Sequence, residues 1–160
     1  MQINKVMQIL GTILLILLGL LALLYLIQHK LIFFPQKLSR DHAFTFSQPF
    51  EERFFNTAEG IRINALHFKT EDPRGLIYYF HGNAGSLEGW GQVAEDLLPF
   101  GYDVLIIDYR GYGKSNGRQT EKGMLKDAQT IYQELLKEYE ENRIILYGRS
   151  IGSGSEERRV

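Results

Sequence analysis

Arg143-Ile-Ile-Leu-Tyr-Gly-Arg-Ser-Ile-Gly152 is the stretch that decides the fold. Ile144 to Tyr147 is an apolar run of the kind that fills a strand buried on both faces, and it feeds directly into Gly148-Arg-Ser-Ile-Gly152. A G-x-S-x-G turn between a strand and a helix bends so sharply that it lifts the serine side chain clear of the sheet, where it can serve as a nucleophile. Ser150 is the candidate. A serine hydroxyl attacks well only when a neighbouring base takes its proton, and in proteins built on this turn the chain order is Ser, then Asp or Glu, then His. Here His29, His42, His67 and His81 all precede Ser150.

With 16 Gly in 160 residues, composition alone yields roughly 0.07 such matches per chain, so the pattern is seldom accidental. This sequence holds two. Gly113-Lys-Ser-Asn-Gly117 also fits, but it follows the turn-rich Asp108-Tyr-Arg-Gly-Tyr112 and runs into Asn116-Gly117-Arg118, which start no helix. Ser115 is therefore read as a turn residue.

Upstream, Leu76 to Phe80 and Val104 to Ile107 are further apolar strands. Between them Ser86 can cap a helix whose Leu87, Trp90, Val93, Ala94, Leu97 and Leu98 recur at helical spacing, with Gly101 closing it. Met124, Leu125, Ala128, Ile131, Tyr132, Leu135, Leu136 and Tyr139 form the cleanest amphipathic helix. Strand, helix, strand, helix, strand argues an α/β fold with a mostly parallel sheet and helical crossovers. Phe44 to Phe46, Arg53 to Thr57 and Ile61 to Phe68, separated by Pro49 and the turn Glu59-Gly60, read as leading antiparallel strands. Active sites in such sheets collect at the carboxyl ends of the strands, where the glycines lie.

Ile9 to Ile27 carries no charge and nearly spans a hydrocarbon core of about 30 Å. No small-x-small cleavage site follows Leu26, so a permanent single-pass anchor, with membrane contact over residues 7–27, is preferred to a cleaved signal peptide. Tyr25, Phe33 and Phe34 fall where an interfacial aromatic belt belongs. Lys30, Lys37 and Arg40 outnumber Lys5, which favours a cytoplasmic domain after the anchor. The expected organisation is an anchor over 1–30, one partial domain over 31–154 and an atypical charged tail over 155–160. Eighteen Lys plus Arg against 19 Asp plus Glu give no electrostatic reason to expect nucleic acid. Without Cys or paired His at ligand spacing, neither a metal nor another cofactor is expected.

His81-Gly82-Asn83-Ala84-Gly85 ends the Leu76 strand as a turn with little side chain to screen its backbone N–H groups. Acyl transfer needs such donors aimed at an oxygen that becomes negative in the transition state. Taken together, His81 to Gly85, Asp108-Tyr-Arg-Gly-Tyr-Gly-Lys-Ser115 and Gly148-Arg-Ser-Ile-Gly-Ser-Gly154, behind an anchor and Leu31-Ile-Phe-Phe-Pro35, resemble membrane-anchored α/β-hydrolases of the serine aminopeptidase-like branch. The resemblance covers residues 8 to 154. It implies Ser150 as nucleophile and the backbone N–H groups of Asn83 and Ile151 as the oxyanion hole. His81, Gly82, Gly85, Gly148 and Gly152 would support them, with the Asp108 loop at the site entrance. A small-molecule or lipid acyl substrate is implied.

The same resemblance expects a small, apolar helix after the turn, more strands, a triad acid and a triad His. Ser155-Glu-Glu-Arg-Arg-Val160 puts four charges where that helix would be buried, at heavy desolvation cost, and reads as a premature stop or frame change. Half of an α/β-hydrolase fold is thus expected, with the Ile144 strand left as a hydrophobic edge prone to aggregation and the chain inactive or nearly so. The rival reading is a non-catalytic, membrane-tethered interaction module. A nucleotide-binding loop at Gly111-Tyr-Gly-Lys-Ser115 is disfavoured, because position 108 is Asp and Asn116-Gly117 break any following helix.

Overall fold

The structure, a computed structural model, describes residues 2–57 and 60–154. Glu59 and the charged tail 155–160, both part of the sequence reading, lie outside the described residues. The chain divides into two compact units after Phe33.

The first unit is one helix, α1 (Gln2–Ile32). Its segment Asn4–Gln28, 25 residues of mean hydropathy 2.8, would extend about 38 Å and is long and apolar enough to cross a membrane. Thr12 donates its hydroxyl to the Gln8 carbonyl at 2.9 Å, so the polar group inside this apolar stretch is satisfied within the helix.

In the second unit, β1 (Phe34–Pro35) is a two-residue strand. Next come β2 (Phe50–Asn56), β3 (Arg62–Phe68) and β4 (Leu76–Phe80). β5 (Ala84–Gly85) is followed by two short helices, α2 (Leu87–Trp90) and α3 (Val93–Leu97), then β6 (Asp103–Ile107), α4 (Glu121–Leu135) and β7 (Ile144–Gly148). The main sheet runs β2-β3-β6-β4-β7. β2 and β3 are antiparallel, as is β3 with β6, while β4 pairs parallel with both β6 and β7. β1 pairs parallel with β5 as a separate ladder.

The sheet is apolar on both faces because helices cover both. Leu66, Phe68, Ile77, Tyr79, Val104 and Ile106 pack with Leu87 and Ala94 of α2 and α3. On the opposite face Tyr78 sets its hydroxyl 3.5 Å from the Ala128 carbonyl of α4, whose Ile131, Tyr132 and Leu135 are buried. β7 is the outer strand among the described residues, with Ile145 and Tyr147 exposed.

Four local expectations differ from the structure. Phe44 to Phe46 forms no strand; its alternate aromatics close the end of the core instead, stacking on each other and meeting Phe50 and Phe68 edge-on at centroid separations of 5.4 to 6.5 Å. The helix after Ser86 is broken into α2, α3 and a 3₁₀ turn, Leu98–Phe100. Gly89 and Gly91 weaken it, and a Cβ at Gly91 would lie 2.3 Å from the Phe46 ring, so the break occurs where that ring packs onto the backbone. Ser86 makes no capping bond: its hydroxyl donates to Gln36 Oε1, while Asp108 Oδ1 accepts from the first N–H of the helix, that of Leu87. Finally, α4 stops at Leu135, and Tyr139 beyond it donates to Asp103 Oδ2 at 2.5 Å.

That last contact belongs to a buried cluster at the amino end of the parallel strands. His67, fully buried, has Arg53 Nη1 3.3 Å from Nδ1 and the Tyr139 hydroxyl 3.2 Å from Nε2. Burial, aided by the Arg53 charge, pushes its pKa down to about 4. An unfolded histidine titrates at about 6.5, so between these values the unfolded chain binds a proton that the folded chain refuses, and stability falls with falling pH. Across that window the loss attributable to His67 reaches about 3 kcal/mol. Thermal unfolding of the full chain in detergent should therefore show a steeper fall in stability from pH 7 to pH 4.5 than the same measurement on His67→Gln.

Candidate active site

Two backbone contacts fix the turn after β7. Arg149 donates its N–H to the Phe80 carbonyl at 3.0 Å, extending the β4–β7 ladder by one bond. A Cβ at Gly152 would lie 2.3 Å from that same carbonyl oxygen, and one at Gly148 would lie 2.5 Å from the Gly152 carbonyl carbon. Only hydrogen fits at either position, which is the physical content of the two glycines in the motif. Between them Ser150 has φ +56°, in the left-handed region that a side chain occupies only under strain, of order 1–2 kcal/mol. Ser150 is exposed and opens a 3₁₀ turn, Ser150–Gly152, in which Gly152 donates to the Arg149 carbonyl at 3.0 Å. Ile151 sits within that turn, and Ser153 donates its hydroxyl to the Ser150 carbonyl at 2.6 Å.

The His81–Gly85 loop leaves the end of β4 alongside this turn. A Cβ at Gly82 would stand 4.0 Å from the Arg149 carbonyl oxygen and 3.0 Å from Trp90 Cζ2, so the loop is threaded between the elbow and the indole. Gly85 has φ +91°, a conformation that favours glycine, and faces Trp90 Nε1. The structure therefore sets the carbonyl of Arg149, the residue before Ser150, against Gly82, and Gly152 against Phe80 two residues earlier in the chain, with Asn83 one residue beyond Gly82.

His81 faces the other way. Its ring is fully buried, with Nδ1 2.6 Å from the Gly82 carbonyl and Nε2 3.3 Å from Asp108 Oδ1. A carbonyl oxygen can only accept, so Nδ1 carries a proton. Asp108 is withdrawn from any entrance: its side chain is fully buried, and burial raises its pKa against the opposing pull of His81. The second G-x-S-x-G stretch is a structural turn. Ser115 is buried and its hydroxyl bridges the chain, donating to the Asp108 carbonyl and accepting from the Asn64 N–H, both at 2.9 Å. His42 Nε2 lies 3.4 Å from Glu88. Among the described residues, no group of three His, Cys, Asp or Glu is placed to hold a metal ion.

Four side chains important to the loop were not singled out from the sequence as site residues. Tyr109, Tyr112 and Trp90 each donate to one of its carbonyls, and Arg149 stands 5.3 Å over the Trp90 ring. Trp90 had the helical spacing of a core residue, and the two tyrosines lay in a stretch read only as turn-rich. Nothing in the sequence marks them as partners of the loop, because their acceptors are backbone carbonyls.

A mixed sheet covered by helices on both faces, with a strained serine turn at the carboxyl ends of its parallel strands, defines an α/β-hydrolase. The family model for serine aminopeptidase, S33, matches residues 71–155, just over half of the sequence, and the chain belongs to that family, within its membrane-associated branch. It is 32% identical to the uncharacterized membrane protein YNL320W of Saccharomyces cerevisiae, covering 67% of this chain and 39% of that one. It is 37% identical to the lysophosphatidylserine lipase ABHD12 of Danio rerio, covering 54% and 23%. The Pyrococcus furiosus esterase Pf2001 superposes with a TM-score of 0.62 at 25% identity, covering 78% of this chain and 51% of that one. The chain spans half or less of the length of the curated relatives it matches.

The backbone contact at Gly152 makes a sharp prediction. Gly152→Ala should cost about 2 kcal/mol or more by forcing β4 and the turn apart. Gly154→Ala, where a Cβ meets nothing within 4 Å, should change the melting temperature little.

Proposed function

We propose that this chain carries the nucleophile and the oxyanion hole of a serine hydrolase acting on acyl esters, thioesters or amides. The observation that carries the reading is the exposed Ser150 at φ +56°, on a glycine-flanked turn against the His81–Gly85 loop. In the reaction, a base removes the Ser150 hydroxyl proton as Oγ bonds to the substrate carbonyl carbon. The carbonyl oxygen becomes negative and is held by the N–H groups of Asn83 and Ile151. Collapse of this intermediate expels the leaving group, which takes up the proton, and water then hydrolyses the acyl-serine.

Described side chains do not supply the base. His81 is committed to Gly82 and Asp108, His67 to the Arg53, Tyr139 and Asp103 cluster, and His42 to the Glu88 side. Loss of a triad base lowers turnover by about 10⁶ in a protease example, so the described residues alone should support only residual catalysis. That same observation favours a second reading, a membrane-tethered module that binds without turning over.

The apolar α1 and the likeness to a lysophosphatidylserine lipase support a lipid acyl ester as the substrate class. The excess of Lys30, Lys37 and Arg40 over Lys5 supports a cytoplasmic hydrolase unit.

A fluorophosphonate probe tests the reading. The full chain in detergent should label slowly, labelling should map to Ser150 and vanish in Ser150→Ala, and added imidazole should accelerate it roughly tenfold or more by acting as the missing base. No labelling with imidazole would favour the binding module, and fast labelling without it would show a base within the chain.

A further inference from the structure

Four successive carbonyls of the site loop are each taken by a side-chain donor. His81 O accepts from the Tyr109 hydroxyl at 2.7 Å, Gly82 O from His81 Nδ1 at 2.6 Å, Asn83 O from the Tyr112 hydroxyl at 2.6 Å, and Ala84 O from Trp90 Nε1 at 2.7 Å. A trans peptide unit is planar, with its C=O and the following N–H pointing in opposite directions. Fixing a carbonyl therefore fixes the direction of the next residue's N–H. No peptide bond in the described chain is cis, so the four bonds together set the N–H groups of Gly82, Asn83, Ala84 and Gly85.

We propose that Tyr109, Tyr112 and Trp90 form an aromatic collar of positioning residues: they clamp the peptide units that flank the Gly82–Asn83 unit and pack around the His81 ring, whose bond to the Gly82 carbonyl sets the Asn83 N–H, so that this N–H is aimed before any substrate arrives. The inference rests on the reading of Asn83 as an oxyanion donor. None of the three touches the reacting atoms; they act through the loop.

The rings also pack on one another, so the collar is rigid. His81 lies 4.4 Å from Tyr109, 5.5 Å from Tyr112 and 5.6 Å from Trp90 between ring centroids, and Tyr109 meets Tyr112 edge-on at 5.7 Å. Tyr109 and Tyr112 are fully or nearly fully buried. Burial pushes Tyr112 up to about 12 and raises Tyr109 as well, so both keep their protons near neutral pH and remain donors. Trp90 joins the two halves of the site: it donates to the loop at Ala84, while its ring receives the guanidinium of Arg149, the residue immediately before the nucleophile. The glycine at 82, where a Cβ would lie 3.0 Å from Trp90 Cζ2, allows the indole this close. A donor group held before reaction costs no reorganisation in the transition state, which is the reason such rigidity helps.

Hydrogen exchange on the full chain in detergent tests the collar, with fluorophosphonate labelling in imidazole read in parallel. Tyr112→Phe loses only the donor, whereas Trp90→Phe keeps an aromatic ring but loses the donor together with part of the indole surface. Each should speed exchange at residues 82–85 roughly tenfold and slow labelling of Ser150 roughly tenfold or more, with exchange in β6 and the melting temperature nearly unchanged. Tyr132→Phe, a buried tyrosine on α4, should change none of these. If exchange at 82–85 matches wild type in both variants, or rises equally throughout β4 and β6, the collar is overturned, whatever the labelling shows. If exchange rises locally but the wild-type chain never labels at Ser150, the carbonyl clamp stands as a fact of the loop and the oxyanion reading fails.

Discussion

The site depends on one contact between backbones, the approach of Gly152 to the Phe80 carbonyl at a distance that leaves no room for a Cβ. Phe80 ends β4, and its carbonyl also accepts the Arg149 N–H. The same oxygen thus anchors the turn from one side and crowds it from the other. Because β4 continues straight into His81 and Gly82, anything that fixes the turn on Phe80 also fixes it beside the glycine loop. The register of β4 against β7, with Phe80 opposite Gly148, is what brings the two together.

A second constraint lies beneath the loop. Asp108, fully buried, accepts from the Leu87 N–H at 3.1 Å, faces His81 Nε2 at 3.3 Å, and has its own carbonyl tied to Ser115. Gly113, at φ +42°, leaves no space for a Cβ against its carboxylate. One carboxylate therefore joins the end of β6, the start of α2 and the base of the site loop. Further out, Arg110 makes two 2.7 Å bonds to Asp127, tying the same β6 loop to α4. An uncompensated buried charge is expensive, so each of these partners matters more through what its loss would leave behind than through its own attraction.

Much of the architecture was legible because burial writes itself as periodicity. Leu76 to Phe80 and the start of β7 at Ile144 matched the structure closely, and the amphipathic pattern of α4 located its buried face at Met124, Ala128, Ile131 and Leu135. What failed was local and had tertiary causes. Phe44 and Phe46 alternate like a strand because they share one packing surface, yet no neighbouring strand pairs with them. Ser86 has the residue type of a helix cap, but its hydroxyl is drawn to Gln36, and the first helical N–H goes to a carboxylate 22 residues beyond Ser86. At the site, the motif glycines announced the turn and the loop. The collar of Tyr109, Tyr112 and Trp90 acts through hydrogen bonds to carbonyls, and backbone acceptors leave no mark on sequence.

The central claim is that Ser150 is held in a left-handed conformation by its neighbours, and a pair of substitutions reads this from the sign of a difference. Glycine at an ordinary helical position is less stable than alanine by roughly 0.5–1 kcal/mol, but at a positive φ the order reverses. Thermal unfolding of Ser150→Gly and Ser150→Ala should therefore find the glycine variant the more stable, by about 1 kcal/mol. An alanine variant as stable as the glycine variant, or more so, would mean that the turn is not strained, and the nucleophile elbow would be contradicted.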